Sequence, residues 1–97
     1  MRIIARKTLR DFWETHPDAE QSLRAWFHDT KIANWAGPAD IRSAYSSASF
    51  LVNNRVVFNI RGNRYRLIVT INYDYHIVYI RFIGSHAEYD QIDAATI

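Results

Sequence analysis

Apolar side chains along this chain follow two different periods. In the first half they recur every three or four residues. Leu9, Phe12 and Trp13 fall at i, i+3 and i+4 with charges between them, which predicts a helix from about Arg6. Pro17 ends it at or near His16, because the residue before a proline disfavours the helical region. Asp18 has the chemistry of an N-cap and Gln21 follows three residues on, as in a capping box, so a second helix is predicted from Asp18. Its apolar stripe is Leu23, Trp26, Phe27 and Thr30, which assigns Trp13 and Trp26 to the core. Met1 to Ala5 reads as a short strand ahead of this helix hairpin. Gly37-Pro38 breaks the chain, Ala39 to Ala44 suits one helical turn, and the small polar run Ser43 to Ser49 reads as a loop.

From Phe50 the period becomes two. Val56, Phe58 and Ile60 alternate with Val57, Asn59 and Arg61. Arg61-Gly62-Asn63 supplies a turn, since glycine and asparagine tolerate positive φ. Tyr65, Leu67, Val69, Ile71 and Tyr73 then alternate with Arg64, Arg66, Ile68, Thr70 and Asn72. A second turn at Asp74-Tyr75 leads into a last strand, Ile77 to Ile83. A two-residue turn there pairs Arg66 with Ile83 and Ile68 with Arg81, so Arg66 and Arg81 share one face at diagonal range. A slip of one residue would separate them. The expected fold class is α+β: an N-terminal strand and helix hairpin covering one face of a three-stranded antiparallel meander, with the other face partly open.

At 97 residues, one domain spanning 1–97 is the default expectation. Hydrophobic residues make up 48%, enough for a packed interior and too many for a disordered chain. The absence of cysteine excludes disulfides, zinc–thiolate sites and thiol nucleophiles, and fits a reducing cytoplasm. The first residues are too short for a signal h-region and no apolar run reaches membrane-spanning length, so a soluble, unexported protein is expected. Net charge is only +2, but residues 51–86 hold five arginines (Arg55, Arg61, Arg64, Arg66, Arg81) against one acid, Asp74. An anionic partner for the sheet half follows from that field; ordinary solvated arginines are the alternative.

Two segments of this half carry a family resemblance. Phe58-Asn59-Ile60-Arg61-Gly62-Asn63-Arg64-Tyr65-Arg66-Leu67, followed by the strand that ends Ile80-Arg81-Phe82-Ile83-Gly84-Ser85-His86-Ala87-Glu88-Tyr89-Asp90, resembles the HigB toxins of bacterial type II toxin–antitoxin modules, within the wider RelE-like group. The resemblance is most specific over residues 55–90; the helical half agrees in length and order. It implies a RelE-like fold with a short C-terminal helix, and an mRNA endonuclease acting mainly on message under translation by the ribosome. It also implies a helix-turn-helix antitoxin of the HigA type, with DNA reached only through the toxin–antitoxin complex. No cofactor, metal or membrane contact is expected.

Read as chemistry, these residues suit metal-independent RNA cleavage. The 2′-hydroxyl attacks its own phosphate while a base takes its proton, cations stabilise the phosphorane, and an acid protonates the leaving oxygen. His86, where the last strand ends, is the candidate acid or base, or alternatively a histidine bonded at a helix start. Tyr89 lies one helical turn on and could stack on a base, donate a proton, or simply pack on the sheet edge. Arg66 and Arg81 are the candidate phosphate clamps, with a salt bridge to Glu88 or Asp90 as the alternative. Asp90 could orient His86. Arg61, Arg64 and Asn63 are candidate RNA contacts at the turn, Asn63 being the stronger turn former, and Lys7 is a further candidate from the N-terminal half. His16, His28 and His76 read as ordinary. The arginine face equally suits a non-catalytic RNA- or ribosome-binding module, or a degenerate toxin that mainly binds its antitoxin. No phosphate-cradling glycine loop, nucleophile elbow or dinucleotide fingerprint is present.

Overall fold

The structure is a computed structural model that describes all residues, Met1–Ile97. Strand β1 (Arg2–Ile4) leads into helix α1 (Arg6–Thr15), a 3-10 turn (Pro17–Ala19) and helix α2 (Glu20–Ile32). Helix α3 (Pro38–Ala44) precedes strands β2 (Ser49–Leu51), β3 (Arg55–Ile60), β4 (Tyr65–Asn72) and β5 (Ile77–Ser85), and helix α4 (His86–Tyr89) follows. This is an α+β architecture consistent with RelE-like toxins.

The helix hairpin forms where the apolar spacing places it. The first helix stops before Pro17, as expected. The second does not start on an Asp18 cap: proline and the two residues after it wind as a 3-10 turn, and the N-cap position falls on Ala19 without a side-chain bond. Asp18 is occupied elsewhere, accepting a 2.5 Å hydrogen bond from the Tyr65 hydroxyl on β4. Pro38 opens α3 as its first residue, a position where the missing N–H costs nothing. That helix takes Ser43 and Ala44 from the expected loop, and Ser49 already belongs to β2.

The sheet has five strands in the order β1-β5-β4-β3-β2, rather than a three-stranded meander. Strands β2 to β5 are antiparallel neighbours, and β1 adds to the far edge parallel to β5. Such a parallel neighbour needs a long crossover, which the helices provide, and three residues leave little signal of it in the sequence. Alternation then divides the sheet as expected. Val56, Phe58, Ile60, Leu67, Val69, Ile71, Val78 and Ile80 pack with Leu9, Trp13, Leu23, Trp26, Trp35 and Ile41 in one core. Trp26 and Trp35 lie against the Phe58 ring. The opposite face carries Arg66, Ile68, Thr70, Tyr79 and Phe82, with Val57 and Ile68 buried there as well.

The β4–β5 turn covers residues 73–76, with His76 at positive φ. Beside it the register is the one a two-residue turn sets, with Asn72 opposite Ile77 and Thr70 opposite Tyr79, but farther along it moves by one residue. Arg66 stands opposite Gly84, not Ile83, and Ile68 opposite Phe82, not Arg81. Between the Val69–Ile80 and Ile68–Phe82 pairs, Arg81 is an extra residue, a β-bulge. The bulge is what moves the register, so Ile83 falls opposite Leu67 and joins the core, while Arg81 still lies on the open face.

Candidate active site

The site is assembled where β4 begins and β5 ends. Ser85 closes β5 and caps α4: its hydroxyl accepts the Glu88 N–H at 3.2 Å, and the Glu88 carboxylate accepts the Ser85 N–H at 2.9 Å. This reciprocal pair fixes a four-residue helix that intrinsic propensity alone would not hold. The bonds from Ser85, backbone N–H first, hold the Glu88 carboxyl below the usual glutamate range.

His86 is the first residue of α4 and half exposed, and its Nδ1 lies 3.1 Å from the Asp90 carboxylate. Ionised, that carboxylate can only accept, so Nδ1 donates and the neutral ring keeps its lone pair on Nε2. His86 thus sits at a helix start, and Asp90 is placed to orient its ring. One turn on, Tyr89 faces Arg66, whose guanidinium carbon is 5.9 Å from the ring centroid. The same guanidinium donates to the Asn63 backbone carbonyl at 3.0 Å and to its side-chain oxygen at 2.7 Å. Asn63 therefore acts as a brace for Arg66 within the 61–64 turn. Positive φ falls on Arg61 and Gly62, not on Asn63.

Space for α4 comes from Gly84. A methyl group there would lie 2.5 Å from the tip of the Phe82 ring and 3.3 Å from the Glu88 Cβ. Opposite Arg66, only a hydrogen lets the ring and the helix close over the strand.

Arg81 is not part of this group. Its Nε donates to the Thr70 hydroxyl at 3.0 Å and its guanidinium covers the Tyr79 ring. Thr70 is four residues beyond Arg66 on β4, about 13 Å along the strand. The two arginines share a face, as the alternation predicts, but the structure directs them to opposite ends of it.

Arg61 and Arg64 lie on the other side of the turn, around Asp18. Their Nε atoms are 3.8 and 3.4 Å from its carboxylate. The Tyr65 bond, then Arg64 and Arg61, pull the Asp18 carboxyl below its ordinary range, while the same bond raises the Tyr65 phenol. Two guanidinium groups share one carboxylate, so net positive charge remains at the turn. Asp18 is the positioning residue that the sequence reading missed. Its partner is 47 positions away, and no local pattern links them. His16 stacks on Phe12 and meets the Tyr65 ring edge-on, a packing role. Lys7 is in the first turn of α1 and paired at 2.7 Å with Asp11. No three His, Asp or Glu side chains converge as a metal centre requires, and no helix is long and apolar enough to cross a membrane.

The sequence is similar to that of known proteins. The sequence model of the HigB toxin family, described as the RelE-like toxic component of a toxin–antitoxin system, matches residues 19–92. The mRNA interferase toxin HigB of Escherichia coli K12 is 26% identical over 92 residues, 93% of this chain and 88% of that protein. The mRNA interferase HigB of Shigella flexneri matches to the same extent. That of Escherichia coli O6:H1 is 26% identical over 94 residues, 95% of this chain and 91% of its own length. The family match covers well over half of the sequence and includes every residue gathered at the end of the sheet: the chain belongs to the HigB family of RelE-like toxins.

Proposed function

We propose that this chain, acting as one toxin domain, is an endoribonuclease that cuts mRNA during its translation on the ribosome, without a metal. The observation that carries the reading is the pairing of His86 and Asp90 beside Arg66 and Tyr89, in a chain whose HigB relatives are named mRNA interferases. The 2′-oxygen attacks the adjacent phosphorus, its proton passes to a base, and the 5′-oxygen leaves with a proton from an acid. A 2′,3′-cyclic phosphate and a 5′-hydroxyl result. His86 Nε2 is a proton-transfer atom at this site, with Asp90 holding the ring. Arg66, braced by Asn63, supplies planar donors to the phosphorane oxygens. Tyr89 stacks on a base or donates the second proton. Arg61 and Arg64 follow the RNA backbone past the turn, and Lys7 adds charge from α1.

The partner is an antitoxin of the HigA type with a helix-turn-helix, and any DNA contact is made through that complex. The working compartment is the cytoplasm, where translating ribosomes are. Wild type and His86→Ala, each expressed without antitoxin, test the reading by primer extension on cellular mRNA. Cuts within translated frames from the wild type, absent with an equally abundant folded variant, are expected. Growth without arrest and no cuts from the wild type would overturn it in favour of a binding or degenerate role.

A further inference from the structure

We propose that the cleft at the far end of the open face, lined by Asn54, Thr70, Asn72, Asp74, Tyr79 and Arg81, binds one nucleotide of single-stranded RNA away from the cut. This rests on the reading of the chain as an RNA-cleaving toxin. It adds a second contact, with its own chemistry, about 13 Å along β4 from Arg66.

The cleft encloses about 380 Å3, within the range of small-ligand sites. Arg81 is exposed and uses only its Nε, on Thr70. Its two terminal nitrogens make no bond within the protein, and no carboxylate lies within ion-pair distance. Arg61, Arg64 and Arg24 are all paired to acids. A guanidinium fixed at one nitrogen with its outer fork free matches the two oxygens of a phosphate. At the bulge Arg81 has no residue directly opposite it on β4, and its side chain leans along the open face to Thr70.

The rest of the lining suits a base. The Asn54 carboxamide has no partner, and Asn72 uses only its oxygen, on the Tyr75 N–H. Free carboxamides offer both donors and acceptors to a base edge. Tyr79 and the guanidinium above it form a flat platform of the kind on which unpaired bases stack. Asp74 also lines the cleft. A carboxylate there accepts from the amino group of cytosine or guanine, but repels an acidic peptide, so RNA fits better than an acidic protein segment.

The test uses the full chain in two arms. In the first, binding of a fluorescent nine-nucleotide RNA to His86→Ala is compared with binding to the same protein carrying Arg81→Ala or Asn54→Ala, across a salt series. Each added substitution is expected to weaken binding about five- to tenfold, and Arg81→Ala to lower the salt slope by about one. In the second, message cleavage is followed in a translating extract with wild type, Arg81→Ala and Arg66→Ala. Arg81→Ala is expected to raise KM several-fold with kcat within about threefold of wild type, whereas Arg66→Ala lowers kcat. Unchanged RNA binding by both first-arm variants, or a kcat loss for Arg81→Ala equal to that for Arg66→Ala, overturns the second contact. Absence of cleavage by wild type overturns the nuclease reading instead, and the first arm still decides whether the cleft holds RNA.

Discussion

Arg66 on β4 stands directly opposite Gly84 on β5, and the absence of a side chain on the glycine lets α4 lie beside the arginine. Gly84→Ala puts a methyl group against Phe82 and Glu88. It is expected to destabilise the protein by about 1–3 kcal/mol, as overpacking does, and to reduce cleavage further by lifting Tyr89 from Arg66. Urea unfolding checks the first effect. Cleavage assayed well below the unfolding transition checks the second; full activity in a folded Gly84→Ala would show that α4 need not be seated on the strand.

The Asp90 carboxylate makes one side-chain hydrogen bond at the site, to the ring of His86. Asp90→Asn removes the acceptor-only partner and with it the preference for one tautomer. A fall in kcat of about tenfold or more is expected, smaller than the roughly 10²–10⁴-fold loss for His86→Ala, with KM little changed. Single-turnover cleavage in a translating extract measures both.

At Arg66, charge alone should not suffice. Lysine keeps the charge but cannot make the forked contacts that arginine makes to Asn63, nor present planar donors to phosphate. Arg66→Lys is expected to lose on the order of 10²-fold in kcat, close to Arg66→Ala. Recovery by lysine to near wild-type rates would mean that a point charge is enough.

The bond between Tyr65 and Asp18 gives a pH dependence at both ends. The Asp18 carboxyl is lowered in the folded protein, so its contribution is present above the unfolded value near ~3.9 and is lost as pH falls through the folded one. The Tyr65 phenol is raised, so its contribution is present below ~10 and is lost as pH climbs through the folded value. Tyr65→Phe should therefore lower the urea midpoint at neutral pH and flatten both limbs of its pH profile. Parallel profiles for the two proteins would remove this bond as the cause.

Thr30 is fully buried on α2, and its hydroxyl has no hydrogen-bond partner within the protein. Thr30→Val exchanges that hydroxyl for a methyl group of similar size. The melting temperature should hold or rise, by an amount corresponding to about 1 kcal/mol, since valine and threonine have similar helix propensities. A clear fall would show that the hydroxyl is satisfied in solution.

Much of the fold was legible because it rests on periodicity. Trp13, Leu23 and Trp26 face the core as their spacing requires, and the alternation from Val56 to Ile71 divides the sheet correctly. His86, Asp90 and Tyr89 come together because they are close in sequence on one short helix. What could not be read depends on partners far apart in the chain. Asp18 has the chemistry of a cap, yet Tyr65 claims it. Strand β1 declares neither its neighbour nor its direction. The expected pairing of Arg66 with Ile83 failed on one inserted residue in β5, which residue type does not encode.

That inserted residue has a consequence for how the protein can vary. Arg81 has no partner across the ladder, so the pairs on either side of it hold without it. Replacing it alters one contact. Deleting it would leave Phe82 opposite Ile68, Ile83 opposite Leu67 and Gly84 opposite Arg66, and would straighten the strand. Loss of this codon therefore removes a cation from the open face without exchanging inside and outside. The bulge gives β5 a place where its length can change while the residues beyond it keep their neighbours.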